Sequence, residues 1–305
     1  MGSAPHLRAV LALVALLAWP AAGGAQDAAG GALAGAGPES EDSVRRGAYL
    51  TAAAGCAGCH SDPKRKDQPF AGGAALRTPI GDFYAPNITP DPDYGIGGWS
   101  DAEFLAALKQ GRAPDGGHYY PAFPYTSYAG MSDRDARDIK AYLATLAPLT
   151  RPNREPEISF PFNFRFLLGA WKALFFEPQP FAAEPARGTD WNRGAYLVRH
   201  LGHCGECHTA RNLFGARDAA RELAGTLNGP DGKKVPNITP HPENGLGAWR
   251  ASDATYYLET GFLPDGDFAG GAMVEVIESS TSQLTDADRA SIWVYLLSLP
   301  PAPGP

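Results

Sequence analysis

The chain has 305 residues, 44% of them hydrophobic, and carries 33 acidic against 26 basic side chains, for a formal net charge of −7 at pH 7. An acidic balance of this kind disfavours nucleic acid and anionic membrane surfaces as partners. The length is sufficient for two domains of ordinary size.

The first 25 residues have the pattern of a secretory signal peptide. Arg8 precedes an apolar run over residues 9–19, and Gly23-Gly24-Ala25 supplies the small residues of a cleavage site. The run is shorter than the ~20 residues that span a bilayer, which favours cleavage over an uncleaved anchor. Cleavage would remove Arg8 and leave a net charge of −8. Residues 26–42 lack apolar periodicity and are predicted to form a flexible leader.

A first helical unit, called here the first repeat, is predicted over residues 43–150. It should contain a helix that runs into a cysteine-containing pentapeptide, a proline-rich loop, a glycine-tryptophan turn, a short helix and a last helix with a capping-box-like start. The marks of these elements are residues 46–50, 56–60, 86–90, 95–99, 101–110 and 132–135.

Residues 151–190 are predicted to form a linker. It begins rich in proline and charge and continues with many aromatic residues between Phe160 and Phe176. Such a segment should be covered rather than free in water. Packing across the two domains is one interpretation, and docking onto a partner subunit is the other.

The first repeat returns over residues 191–300, called here the second repeat. Four of its marks lie 147 to 150 residues after those of the first, at residues 193–197, 204–208, 236–240 and 245–249, and its short helix is predicted over residues 253–260. The last helix of the second repeat should begin at Thr285. Gly47 and Gly194 stand inside the opening helices, where glycine is costly, so they predict a close approach of the closing helix in each repeat.

The pentapeptides Cys56-Ala57-Gly58-Cys59-His60 and Cys204-Gly205-Glu206-Cys207-His208 have the attachment pattern of c-type haem. Two thiols that add to the two vinyl groups of one porphyrin must lie close together on one side of a helical turn. Residues three and four apart share a helix face, which places the histidine beneath the ring, where it can bind the iron. We therefore predict two covalently bound haem c groups, attached through Cys56, Cys59, Cys204 and Cys207, with His60 and His208 as proximal ligands.

Other roles for the four cysteines fit less well. A zinc ribbon separates its cysteine pairs by about 15–20 residues, whereas these pairs lie 148 residues apart. A thioredoxin-like site needs one pair in a βαβ context. Disulfides suit an exported chain but leave His60 and His208 unexplained. Haem c is attached outside the bacterial cytoplasm in known families, which agrees with the signal peptide and predicts a periplasmic protein.

The distal ligands are sought among the methionines, because His/Met ligation suits an electron carrier and raises its potential. Apart from the initiator, the chain has Met131 and Met273. Met273 follows a glycine-rich loop that could bring its sulfur over the second iron, and it is predicted to be the distal ligand there in preference to a core residue.

The distal ligand of the first haem stays open between alternatives. The methionine count favours Met131. The repeat, however, aligns Met273 with Phe123 and Met131 with Leu284, and a hydrophobic residue just before a helix cap is expected as a staple. Met131 is therefore a tentative ligand, with His118 or an open iron as the alternatives.

Several residues near the haem motifs have two interpretations each. The Asn and Thr of the proline-rich loops either form the turn itself or bind a propionate. Trp99 and Trp249 are predicted core residues whose indole N–H groups could bond to a propionate. His200 and His203 are expected on a helix surface and not as ligands.

With these motifs in place, the chain resembles the dihaem and trihaem cytochrome c subunits of bacterial alcohol, gluconate and related membrane-linked dehydrogenases. The shared marks are Arg-Gly-Ala-Tyr-Leu before each haem motif, Pro-Asn-Ile-Thr-Pro, Gly-Ile-Gly-Gly-Trp, Tyr120-Pro-Ala-Phe-Pro-Tyr125 and the helix start at 284–288. The resemblance covers nearly all of residues 43–300. It implies an all-α fold of two tandem cytochrome c domains, joined here by the proline- and aromatic-rich linker.

The resemblance also implies partners. Such a cytochrome takes electrons from a dehydrogenase catalytic subunit and passes them to a quinone, another cytochrome or an oxidase. This sequence departs from the pattern in two places. It has no third Cys-x-x-Cys-His motif, and Phe123 stands where family members often have Met.

The sequence is interpreted as an exported dihaem cytochrome that carries single electrons from a dehydrogenase to the respiratory chain, at the periplasmic face of the inner membrane if its partners hold it there. The alternative is a dihaem enzyme, a peroxidase, oxidase or thiosulfate-type dehydrogenase, that uses an open or unusually ligated first haem. No acid–base constellation stands apart from the haem motifs, so no catalytic residue is predicted. A haem-based sensor is disfavoured because no output domain is evident.

Overall fold

The computed structural model describes residues 40–305, so the predicted signal peptide and nearly all of the leader lie outside the described residues. In the described part, none of the helices has the length and apolar character needed to cross a membrane. The described residues belong to one compact unit.

The first repeat consists of five helices and two short strands. These are α1 (Glu41–Ala53), α2 (Cys56–His60), β1 (Ala75–Thr78), β2 (Gly81–Tyr84), α3 (Asp101–Gln110), α4 (Tyr125–Tyr128) and α5 (Asp133–Ala144). The predicted helix over residues 101–110 is confirmed. Ser132 caps α5 as expected, because its side chain accepts a hydrogen bond from the backbone N–H of Asp135.

The linker contributes strand β3 (Glu157–Ile158) and helix α6 (Leu167–Phe175). Strand β3 extends the β1–β2 hairpin into a three-stranded antiparallel sheet. This sheet was not predicted, because the strands are too short to show alternation in the sequence. It adds a minor β element to a helix-rich fold.

The second repeat has the same order of helices. These are α7 (Thr189–Tyr196), which continues as a π-helical turn (Leu197–Leu201), then α8 (Gly205–His208), α9 (Ala251–Thr260), α10 (Ala272–Ser279) and α11 (Asp286–Leu297). Thr285 caps α11 by accepting a hydrogen bond from the N–H of Asp288. Helix α9 begins two residues earlier than the expected start at Asp253.

In each repeat the opening helix crosses the closing helix at a glycine. A Cβ atom added at Gly47 would lie 1.8 Å from the carbonyl oxygen of Asp138 in α5. One added at Gly194 would lie 1.9 Å from the carbonyl oxygen of Ser291 in α11. Both distances are far below van der Waals contact, so only glycine allows these crossings. The predicted close approach is confirmed in both repeats.

The two repeats share one hydrophobic core. Buried residues of both, such as Leu50, Met131, Val198 and Tyr295, belong to a single cluster. Linker helix α6 contacts both repeats. The ammonium group of Lys172 donates to the carbonyl oxygens of Gln110 (2.7 Å) and Gly111 (2.6 Å) at the end of α3.

Trp171 makes the other contact of the linker, because its indole N–H donates to the carbonyl oxygen of Phe214 in the second repeat at 2.8 Å. The linker therefore packs against both repeats, as the first interpretation expects. Its outer aromatic residues nevertheless stay open to solvent, with Phe160 77% and Phe166 73% exposed.

A pair of exchanged hydrogen bonds joins the repeats. The Tyr49 hydroxyl donates to Asp288 of the second repeat at 2.5 Å, and the Tyr196 hydroxyl donates to Asp135 of the first. Arg193 also binds Asp288, at 2.6 Å. Burial alone would raise the pKa of Asp288, and the hydrogen bonds from Arg193 and Tyr49 outweigh it and lower that pKa.

Candidate functional site

The first pentapeptide forms its own short helix, α2, after a sharp turn from α1. Gly55 makes the turn in the left-handed region, with φ +63°. At the end of α2, Nδ1 of His60 lies 2.7 Å from the carbonyl oxygen of Pro86. A carbonyl oxygen can only accept, so Nδ1 carries the proton and donates. Nε2 of His60 is thereby left as the basic nitrogen.

The second pentapeptide repeats this geometry. Nδ1 of His208, at the end of α8, lies 2.8 Å from the carbonyl oxygen of Pro236. Burial lowers the pKa of both His60 and His208, against the opposing effect of these hydrogen bonds. Both rings are therefore neutral imidazoles of fixed orientation, the form in which histidine binds a metal.

Sequence reasoning missed the role of Pro86 and Pro236. Each is the first residue of a repeated Pro-Asn-Ile-Thr-Pro loop, and the loops follow their histidines by nearly the same interval, 26 and 28 residues. That similar interval in the two repeats was the available signal. An orienting carbonyl leaves no other mark in a sequence, because every residue has one.

The Asn and Thr side chains of these loops serve the turn. Oδ1 of Asn87 accepts from the backbone N–H of Thr89 at 2.9 Å and from its hydroxyl at 2.7 Å. Oδ1 of Asn237 accepts from the N–H of Thr239 at 2.8 Å. Both Asn side chains are buried. The turn-forming interpretation accounts for these residues.

The four cysteines form no disulfide bond with one another. Burial raises the pKa of Cys56 and of Cys204 to about 12. Among residues 40–305, no group of three or more His, Cys, Asp or Glu side chains is placed to hold a metal ion.

The distal candidates of the first repeat differ in their surroundings. Met131 is fully buried in the shared core. Phe123 lies edge-on to Tyr128, with ring centroids 5.9 Å apart. His118 is engaged elsewhere, because the Lys172 ammonium group donates to its Nδ1 at 3.2 Å. That contact ties His118 to the linker helix.

The distal candidate of the second repeat lies at the start of a helix. Met273 is the second residue of α10, which follows Gly271 directly, and its side chain is half-buried. The sequence places a glycine-rich loop over residues 267–272, before Met273, and the structure shows that this loop ends one residue earlier, because α10 begins at Ala272. Trp99 packs against the shared core, in agreement with its predicted core role.

The expectation that His200 and His203 lie on a helix surface is wrong. Nδ1 of His200 donates to the carbonyl oxygen of Ser127 at 2.9 Å. His203 packs edge-on to Tyr128, with ring centroids 5.5 Å apart. Both histidines therefore face the first repeat. The π-helical turn that holds His200 and this contact between repeats are not visible in helical periodicity.

Glu206 is a second residue that sequence reasoning missed. It stands inside the second pentapeptide, and only 9% of its side chain is exposed. Burial alone would raise its pKa, and Arg217 and Arg211 outweigh it and lower that pKa. A charged residue inside one pentapeptide, where the other has Gly58, was the signal. Its partners could not be read from the sequence.

The residues fit a haem at each pentapeptide. Two thiols lie three positions apart, and the next residue is an imidazole whose Nδ1 is held by a backbone carbonyl. The same arrangement occurs twice with nearly equal His–carbonyl distances, 2.7 and 2.8 Å. Such an arrangement can hold two redox-active irons within one shared core.

Comparison with known proteins agrees with this geometry. Residues 44–147 match the family model for cytochrome c. The chain is 47% identical to a dihaem cytochrome c-type protein of Cereibacter sphaeroides, over 84% of this chain and 85% of that protein.

Cytochrome subunits of dehydrogenases are also similar. The chain is 42% identical to the fructose dehydrogenase cytochrome subunit of Gluconobacter japonicus, over 85% of this chain and 53% of that subunit. It is 40% identical to the gluconate 2-dehydrogenase cytochrome c subunit of Pantoea cypripedii, over 84% of this chain and 59% of that subunit. The chain thus spans most of the first relative and a little over half of the other two.

Proposed function

The chain belongs to the family of c-type cytochromes that includes the cytochrome c subunits of dehydrogenases, and on this premise we propose that it is a dihaem electron carrier. It takes single electrons from a dehydrogenase catalytic subunit and passes them to a respiratory acceptor. The observation that carries the proposal is the repeated His–Pro carbonyl pair beside two cysteine pairs.

The attachment residues are assigned by position in the two pentapeptides. Cys56 and Cys59 hold the first haem, and Cys204 and Cys207 hold the second. The neutral Nε2 of His60 and of His208 provides the proximal ligands. A bound haem iron supplies one-electron exchange between its ferric and ferrous states.

The distal ligands are assigned to the methionines. Met273 serves the second haem from the first turn of α10. Met131 is assigned to the first haem, because the segment that leads to it is bound through the Tyr128 hydroxyl to the carbonyl oxygen of Ala54, two residues before Cys56. The competing candidate His118 is bound to Lys172. His/Met ligation at both sites raises the potentials, as suits a carrier that receives electrons from a dehydrogenase.

The protein contributes orientation and exclusion of water. The carbonyl groups of Pro86 and Pro236 fix the two imidazole rings and make them better donors to a metal. The shared core surrounds Met131 and keeps solvent from the distal side of the first site. The two carbonyl contacts would hold the imidazole rings in one orientation when a haem is bound.

The partner and the location follow from the relatives and the N-terminal segment. The relatives named above are cytochrome subunits of fructose and gluconate dehydrogenases. We propose a catalytic subunit of this kind as the electron donor, and a quinone, another cytochrome or an oxidase as the acceptor. The signal-like residues 1–25 direct the chain to the periplasm.

The experiment is expression in a host that matures c-type cytochromes, followed by intact mass and visible spectra. The wild-type protein should carry two haem masses and should be reduced by two electrons in a spectroelectrochemical titration. The double variants Cys56→Ala/Cys59→Ala and Cys204→Ala/Cys207→Ala should each retain one haem. A colourless wild-type protein without added mass would overturn the proposal.

The enzyme alternative is not favoured, because the matched relatives carry the names of a cytochrome and of cytochrome subunits. Binding of carbon monoxide to the reduced protein distinguishes the electron carrier from the enzyme. A carrier with two six-coordinate irons should leave the spectrum of its reduced form unchanged by this ligand. An enzyme with an open first iron should bind it within mixing time.

A further inference from the structure

The distal segment of the first repeat, residues 125–132, is held by the second repeat. The carbonyl oxygen of Ser127 accepts a hydrogen bond from Nδ1 of His200 at 2.9 Å. The backbone N–H of Ser132 donates to the hydroxyl of Tyr196 at 3.0 Å. These contacts lie near the two ends of the segment that leads from α4 to Met131. The position of this segment therefore depends on residues some 70 positions further along the chain.

Glu206 is the charged member of this contact. Its Oε1 accepts from the Thr126 hydroxyl and from the Ser127 hydroxyl, each at 2.7 Å. On the other side, Arg211 donates to Oε2 at 2.7 Å, and Nε of Arg217 lies 3.7 Å from Oε1. The carboxylate is thus bound on both sides and buried. Hydrogen bonds to a charged group are about twice as strong as neutral ones.

Helix α4 has a further anchor to the first pentapeptide. The Tyr128 hydroxyl donates to the carbonyl oxygen of Ala54 at 2.8 Å, and Ala54 lies two residues before Cys56. Helix α4 therefore lies between the attachment motifs of the two repeats. A displacement of Thr126 and Ser127 would also move Tyr128, because all three belong to the same helical turn.

The reverse contact is weaker. Gly58 is the counterpart of Glu206 in the first pentapeptide, and it faces α10 of the second repeat. A Cβ atom there would lie 2.9 Å from the Ser279 hydroxyl and 3.7 Å from Glu275. Glycine has no side chain to bond with α10, so this contact is packing only. A pentapeptide side chain therefore binds the opposite repeat in one case only: Glu206 of the second pentapeptide binds residues 125–132 of the first repeat.

We propose that Glu206 is a positioning residue for the first haem, although it belongs to the attachment motif of the second. The inference rests on the proposed dihaem function. By binding Thr126 and Ser127, Glu206 fixes the main chain that carries Met131 and so holds the distal side of the first site. Arg211 and Arg217 offset its charge, so its effect comes from hydrogen bonding rather than from the field of a bare carboxylate.

The test compares three variants of the mature holoprotein with the wild type. Glu206→Gln removes the charge, and Thr126→Val/Ser127→Ala removes the two hydroxyl donors without touching the second pentapeptide. Glu222→Gln is the control, because Glu222 is a partly exposed acid of the second repeat that lies 4.0 Å from Arg199. The readouts are hydrogen exchange of residues 125–132, the Met–iron charge-transfer band and the two midpoint potentials.

The hydroxyl variant should speed amide exchange in residues 125–132 by about tenfold, the factor expected for the loss of a hydrogen bond to a charged group. It should also weaken the charge-transfer band and lower the potential of the first haem, while the second haem keeps its wild-type values. Glu206→Gln should give the same change at the first haem. Glu222→Gln should change none of the three readouts.

Three results would overturn the proposal. The hydroxyl variant could leave the exchange rates and the first haem unchanged. Glu206→Gln could shift both potentials equally while the hydroxyl variant shifts neither, which would mean that only charge acts. The variants could melt at lower temperature with unaltered spectra, which would mean a purely structural role. Failure of the proposed function looks different, since the wild-type protein itself would then lack bound haem.

Discussion

The two repeats share one proximal frame and differ in how their distal segments are held. Each repeat crosses its outer helices at a glycine and fixes its histidine with a proline carbonyl. In the first repeat the distal segment is deeply buried, with Tyr125 and Met131 both 0% exposed. In the second repeat Met273 is half-buried, and the next residue, Val274, is 39% exposed.

The difference in burial shows which contacts come from within one repeat and which require the other repeat. The proximal side comes from contacts within a repeat, so it is the same twice. Residues 125–132 of the first repeat are instead held by the second repeat, through His200, Glu206 and Tyr196. The glycine crossing and the histidine–carbonyl contact are therefore the same in both repeats. The burial of the segments that carry Met131 and Met273 differs, because only the first of these segments is held in this way by the other repeat.

The largest expected effect tests the shared frame. Gly47→Ala and Gly194→Ala would each place a Cβ within 2 Å of a carbonyl oxygen of the facing helix. Overpacking of this kind should cost about 3 kcal/mol of unfolding free energy in each variant. Denaturant unfolding of the holoprotein measures it. Gly270→Ala is the control, because nothing lies within 4 Å of an added Cβ there.

A clear inequality between these two glycine variants would contradict a common frame. If Gly194→Ala were tolerated and Gly47→Ala were not, the second repeat would have to relax around α7. The π-helical turn at Leu197–Leu201 would then be the expected site of this relaxation, because the first repeat has no counterpart of it in the described residues.

The next effect tests the exchanged tyrosines. Tyr196→Phe leaves the buried Asp135 without one donor, and Tyr49→Phe does the same to Asp288. Each variant should lose about 1.5–3 kcal/mol of unfolding free energy. The loss should be larger for Tyr196, which is 8% exposed, than for the half-buried Tyr49. A larger loss of unfolding free energy in Tyr49→Phe than in Tyr196→Phe would mean that the burial of the tyrosine does not determine how much its hydrogen bond stabilises the fold.

Much of the frame could be predicted from the sequence because it depends on local signals. The duplication, the glycine crossings, the caps at Ser132 and Thr285 and the helix over residues 101–110 all follow from short-range patterns. The thiols and imidazoles of the two pentapeptides follow from spacing alone. These elements need no knowledge of what lies opposite them in the fold.

The unpredicted parts depend on contacts between distant segments. Glu206 binds residues about 80 positions away, and His200 binds one that is 73 positions away. The Pro86 and Pro236 carbonyls belong to the backbone, which a sequence does not distinguish from one residue to the next. Helical periodicity shows which face of a helix is apolar, and His200 and His203 are half-buried polar residues that contact the other repeat.

A smaller effect concerns acid pH. The folded pKa of Asp288 is lowered, because bonds from Arg193 and Tyr49 outweigh burial. Its stabilising contribution is complete above the unfolded carboxyl pKa of ~3.9 and is lost as the pH falls through the lower folded value. Asp288→Asn should be less stable than the wild type at pH 7 and should lose the difference at strongly acid pH.

Melting curves between neutral and strongly acid pH check this expectation. Asp67→Asn is the control, because Asp67 is an exposed carboxylate. Curves for Asp288→Asn that stay parallel to the wild type at every pH would show that Arg193 and Tyr49 do not stabilise the ionised form.

The smallest expected effect concerns the linker residue Lys172, which binds the end of α3 in the first repeat. Burial, with Arg112 nearby, lowers the pKa of Lys172 to about 8, below the ~10.4 of a free lysine. The folded state therefore releases this proton before the unfolded state does. It follows that this residue makes stability rise as the pH increases from about 8 to about 10.4. Lys172→Met, of similar length, should lack that rise.

Hydrogen exchange locates this effect within the molecule. Lys172 binds the carbonyl oxygens that end α3, so Lys172→Met should speed exchange at residues 108–112. The corresponding end of α9, at residues 258–262, should keep its wild-type rate, because α6 donates no such bond to it among the described residues. Equal changes at both ends would mean that Lys172 acts on the shared core as a whole and not on the end of α3, and the expected difference between the two repeats would then be wrong.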